Sequence, residues 1–124
     1  MVTYRYIEDF APGKSYRLVR DIDPQADGSA LTEAWFTVKS DLALSDAMAS
    51  FSLHVTQSGT IYGGCYNYTD GAMAVDFTVP YTTSKTMLPN STYLYDIQVR
   101  MDTGSIYTIE TGRLFTLNVV TQLP

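Results

Sequence analysis

Cysteine is nearly absent. The only one among 124 residues is Cys65, which excludes an internal disulfide framework. Histidine is equally scarce. His54 stands alone, and one His with one Cys cannot complete a zinc site within a single chain. No Gly-x-Ser-x-Gly elbow and no glycine-rich phosphate cradle occur, and no two of the thirteen acidic residues are singled out as a glycosidase-type pair. Basic runs are missing too. Eight Lys and Arg are scattered against thirteen acids, a formal charge of −5, which argues against nucleic acid and anionic membrane as partners. No apolar run approaches membrane-spanning length, and the first residues, MVTYRYIEDF, show neither a basic n-region nor an apolar h-region. A reducing cytoplasm is the expected place of synthesis, and no enzyme activity, cofactor or metal is expected.

Tyrosine and alternation are what the chain has. There are ten tyrosines, and 45% of residues are hydrophobic. The stretch from Leu88 to Thr121 alternates throughout: Tyr93, Tyr95, Ile97, Val99 and Met101 fall on one face of a pleated strand, Leu94, Asp96, Gln98 and Arg100 on the other. Asp102 to Ser105 reads as a turn, Ile106 to Glu110 as a second strand, Thr111-Gly112 as a break or bulge, and Arg113 to Val120 as a third strand. Leu88-Pro89 entering a strand that opens on tyrosine predicts a phenol bonded back to the preceding loop, from Tyr93 or Tyr95. A meander with one apolar face needs a second layer, so the expected fold is all-β, an immunoglobulin-like sandwich of two antiparallel sheets with one or two short helical turns.

The rest of the chain supplies that layer. Residues 1–12, with Tyr4, Tyr6 and Phe10, read as a first strand or as an arm on a neighbour, and 13–124 as one domain. Strands follow at Lys14 to Arg20, Leu31 to Lys39, Phe51 to Thr56, Ile61 to Tyr68 and Ala72 to Val79. Gly63-Gly64 flaws the stretch from Ile61 to Tyr68, and Asp70-Gly71 is a hairpin signal. Ser40 to Ala49 and Thr82 to Met87 break the alternation and suggest helical turns. On Leu31 to Lys39, Trp35 faces away from Ala34, Phe36 and Val38, although a lone tryptophan on a sandwich strand is more often core than platform. Asp21 to Gly28 resembles a calcium loop, but its sixth position is Ala26 and its twelfth Thr32, so it reads as an acidic turn. Asn67-Tyr68-Thr69 and Asn90-Ser91-Thr92 match the glycosylation sequon, which carries little without a secretion signal.

Read together, Ala34-Trp35-Phe36-Thr37-Val38-Lys39 with Ser45-Asp46-Ala47, Val75-Asp76-Phe77, Tyr95-Asp96-Ile97-Gln98-Val99, then Gly104, Tyr107 to Gly112 and Val120-Thr121 resemble small virion proteins of tailed bacteriophages with an immunoglobulin-like sandwich. The resemblance runs from about Leu31 to Thr121. It implies a mechanical function in the neck, tail, baseplate or capsid decoration, a homo-oligomer on the particle, other virion proteins as partners, and no catalytic residues. Candidate contact residues are Tyr4, Tyr6, Phe10, Tyr62, Tyr66 and Tyr68. The alternative is a carbohydrate-binding module for host attachment using Tyr62, Tyr66 and Tyr68, which share a face by spacing; ordinary packing would explain the same three.

Overall fold

The computed structural model describes residues 2–40 and 49–118. Eight strands and one short helix run in the order β1 (Thr3–Phe10), β2 (Tyr16–Ile22), β3 (Leu31–Lys39), β4 (Phe51–Thr56), β5 (Gly63–Asn67), β6 (Met73–Val79), α1 (Tyr81–Ser84), β7 (Thr92–Met101) and β8 (Ile106–Thr116). They form two sheets, a five-stranded one ordered β1-β8-β7-β3-β4 and a three-stranded one ordered β2-β6-β5. All pairings are antiparallel except β1 with β8, which run parallel. The second, sixth and fifth strands make one sheet while the third, seventh and eighth meet in the other. This is the strand exchange of an immunoglobulin-like sandwich, with β4 added beside β3.

Alternation drives the assembly. Ala34, Phe36 and Val38 of β3, Leu53 and Val55 of β4, Val75, Phe77 and Val79 of β6, and Ile97 and Val99 of β7 all point into the space between the sheets and are buried. Phe36 is the hub: its ring lies 5.5 Å from Phe51, 5.6 Å from Phe77 and 5.8 Å from Tyr95. Full burial of each such side chain contributes about 1.5–3 kcal/mol. Tyr93 makes the predicted corner, its hydroxyl accepting the Leu88 N–H at 2.9 Å. The Thr116 hydroxyl pins the same bend by donating to the Leu88 carbonyl at 2.7 Å.

Several expectations are corrected. Ile106 to Thr116 is one continuous strand rather than two, and its irregularity lies earlier than Thr111-Gly112. Ile97 pairs with Glu110 and Gln98 with Thr108, so Ile109 is the extra residue. Gly112 instead sits where a Cβ would come within 1.7 Å of the Arg5 carbonyl oxygen. The strand expected from Ile61 is shortened to Gly63–Asn67, because Thr60 to Gly63 close a turn by paired backbone hydrogen bonds and Gly63 leaves it at φ 128°. The turn expected at Thr82 to Met87 is α1 with the bends after it; the one expected at Ser40 to Ala49 falls almost wholly outside the described residues. Asp21 and Ile22 close β2, and the Asp27 carboxylate is held below its usual range by hydrogen bonds from Ser29, first from its side chain and then from its N–H at 2.9 Å.

Candidate protein–protein interface

The outer face of the five-stranded sheet carries the chain's most distinctive surface chemistry. At its β1 edge, Tyr4 and Tyr6 project outward and are 56% and 57% exposed. Their rings meet edge to face at 5.5 Å, and Tyr6 tilts against Phe115 of β8 at 5.8 Å. The register explains the grouping: Tyr6 is paired with Arg113 across the β1–β8 ladder, so Phe115 and Arg113 flank it. Together with Glu8 these side chains line a shallow depression of about 300 Å³. Tyrosine, phenylalanine and arginine are residue types enriched at protein interfaces.

Further across the same face, Trp35 stacks on His54 at 5.1 Å with an interplanar angle of 14°, and the Arg100 guanidinium lies 5.6 Å from the indole. Glu33 ties the group together, accepting from His54 Nε2 at 2.7 Å and from Arg100 at 2.9 Å. Trp35 therefore belongs to the outer face and not to the core, where Phe36 takes the central place. Thr37 and Ser52 share a hydrogen bond at 2.8 Å in the next row.

Between the sheets lies a second polar cluster. Glu110, buried, accepts from Arg20 Nε at 2.7 Å and from the Tyr95 hydroxyl at 2.7 Å, with Arg5 Nε at 3.4 Å. Arg20 is on β2 and Glu110 on β8, so the pair joins the two sheets. Burial opposes the charge on Arg20, yet its bond to Glu110 and the attraction of that carboxylate leave the guanidinium above its ordinary value. Burial first, and then the hydrogen bond to Glu110, raise the Tyr95 phenol. No feature of the sequence reading pointed to this cluster.

Of the six candidate contact residues, Tyr4 and Tyr6 come together on one face as described. Phe10 does not join them. It is fully buried, packed 5.0 Å from Tyr16 and 6.3 Å from Phe51, because the β1–β8 register shifts between Ile7 and Phe10 and turns its side chain inward. Tyr66 and Tyr68 are 47% and 55% exposed, but Tyr62 packs partly buried against the core, so the three do not form one platform. Asn67 of the first sequon clamps the Leu31 backbone, its amide oxygen accepting the N–H and its nitrogen donating to the carbonyl, both at 2.9 Å.

Cys65 and His54 are kept apart by the pleat. Cys65 donates its thiol to the Val55 carbonyl at 3.6 Å from inside the sandwich, whereas His54, the preceding residue on β4, faces outward. Burial, aided by the charge of Glu33, pushes the Cys65 thiol up to about 12.

No protein-family model matches the chain, and no curated protein matches it. Among solved structures the chain is similar to the NK cell receptor NKp44, at 10% identity over 94% of this chain and 98% of that one, with a TM-score of 0.47. It is also similar to part of a family 123 glycoside hydrolase from Clostridium perfringens, at 14% identity over 98% of this chain and 24% of the enzyme, with a TM-score of 0.42. At these identities and scores the likenesses bear on no site and no activity.

Proposed function

We propose that the chain is a non-enzymatic structural subunit of a tailed-bacteriophage particle, made in the host cytoplasm and held to neighbouring virion proteins through the Tyr4–Tyr6–Phe115 face and the sheet edges. One observation carries the binding part: two tyrosines more than half exposed, fixed by ring contacts on a regular sheet, with Arg113 and Glu8 beside them. Rigid aromatic side chains lose little rotamer freedom on docking, which is why they anchor interfaces. The particle itself is supported by the resemblance of the strand and turn segments. The net charge of −5 suits a subunit that must stay dispersed until it assembles.

The test is incorporation. Tyr4→Ser with Tyr6→Ser should leave the fold intact and reduce the amount of chain recovered on purified particles at least ten-fold. Undiminished incorporation would remove this face from the proposal, and absence of the unaltered chain from particles would remove the particle. The glycan reading has lost its three-ring platform, since Tyr62 is turned to the core.

A further inference from the structure

Exposed apolar side chains gather at opposite ends of the strands. At one end, a cleft of about 750 Å³ opens between the starts of β1 and β8 and the end of β2, with Val2, Ile22, Val99, Met101, Ile106 and Tyr107 among its walls. Three of these, Val2, Ile106 and Tyr107, are about half exposed. At the other end, Leu88 and Leu117 stand out at the exit of β8, where Leu117 donates its N–H to the Phe10 carbonyl. The eleven residues of β8 separate these ends by about 33 Å at the usual strand rise.

The cleft exists because the sheets are unequal. Among the described residues, β2 pairs only with β6, and no strand continues the smaller sheet beneath β8 and β1. The free edge of β2 is regular: its pairing with β6 runs unbroken over seven residues, without proline or bulge. Of the other edges, β1 carries a register shift, β5 is five residues opening on two glycines, and β4 is regular over six residues but contributes nothing to the cleft. A straight, unpaired edge beside apolar walls accepts one more strand. Glu110 already engages Arg5 and Arg20 at the back of the cleft, and Asp21 and Asp23 stand at its β2 side, so a strand without acidic residues suits it.

We propose that the occupant is residues 117–123 of a second copy, Leu-Asn-Val-Val-Thr-Gln-Leu, added as a strand on β2. This segment is uncharged and rich in β-formers. It follows β8 at the end remote from the cleft, and seven extended residues span at most about 25 Å, short of the cleft on the same molecule, so the segment serves a neighbour's cleft. Two different surfaces meet, making the contact heterologous and self-propagating: a head-to-tail row of copies. The inference rests on the reading above in treating the chain as an assembling subunit, and it adds which surfaces join.

Light scattering on the eluted full-length chain tests it without any particle, so its failure is distinct from failure of incorporation. The unaltered chain should grow in mass with concentration, without stopping at a dimer. Val120→Pro with Thr121→Pro, which removes adjacent strand N–H groups from the donor, and Ile106→Glu, which places a charge in the cleft, should each give monomers of unchanged melting temperature. Mixing the two variants should restore 1:1 dimers and nothing larger, because one supplies an intact cleft and the other an intact donor. Tyr107→Glu replaces Ile106→Glu if the latter is unfolded. A strictly monomeric parent at millimolar concentration, or a mixture that stays monomeric, overturns the proposal.

Discussion

Tyr95 donates its phenol to Glu110 Oε2 at 2.7 Å, and Glu110 Oε1 takes Arg20 from the opposite sheet at the same distance. In antibody domains the inter-sheet tie between the equivalent second and seventh strands is a disulfide. Here an ion pair reinforced by a phenol bridges the sheets, and the chain's one cysteine lies elsewhere, on β5.

Glu110→Gln should therefore be costly. It leaves Arg20, whose side chain is 24% exposed, without its counter-charge, an effect of about 3 kcal/mol for a broken buried pair. Urea unfolding measures it, and a loss under about 1 kcal/mol would mean that water compensates.

Tyr93→Phe and Tyr95→Phe remove one hydroxyl each from buried rings. The first frees the Leu88 N–H, the second strips one bond from a carboxylate that keeps two cations. Each should cost about 1–2 kcal/mol. Calorimetry should show additive losses if the corner and the Glu110 cluster are independent.

Gly112→Ala adds a methyl group within 1.7 Å of the Arg5 carbonyl oxygen, and backbone cannot yield as a flexible side chain can. The strand β1 must shift or detach, at about 3 kcal/mol or more. Hydrogen exchange should show protection lost over residues 3–10 before the rest of the sheet; uniform protection would refute it.

Cys65 should resist labelling while folded. With the thiol moved from 9.0 to about 12, its thiolate fraction at pH 8 falls about a thousand-fold before burial adds its own barrier. The sign of the linkage is that of a raised acid: stability is fully present below pH 9 and declines as pH rises from 9 towards 12, where the unfolded chain has lost a proton that the folded one retains. Labelling by a disulfide reagent at pH 8 should track global unfolding, and fast native labelling would contradict the geometry.

The two-sheet architecture was legible because it depends on period-2 alternation, which β4, β6 and β7 follow almost without exception. The tyrosine corner was legible as chemistry, though spacing alone could not choose between Tyr93 and Tyr95. Alternation failed where the backbone departs from the pleat. Phe10 shares the parity of Tyr4 and Tyr6, and the register shift after Ile7 reverses it. Tyr62 shares the parity of Tyr66 and Tyr68, and the positive φ of Gly63 disconnects it. Glu110 lay beyond reach because the extra residue Ile109 decides which side of β8 turns inward. For Trp35 the parity was sound and the general burial habit of tryptophan misled.

The parallel union of β1 with β8 has a mechanical consequence. The chain enters the sheet at Thr3 and leaves at Thr116, at opposite ends of the molecule, along two neighbouring strands that point the same way. Tension between those two points pulls along the ladder and not across it. The hydrogen bonds between β1 and β8 then share the load and yield as a group, where an antiparallel hairpin pulled from its ends would open one rung at a time. Between Thr3 and Thr116 the fold is thereby built as a clamp against stretching.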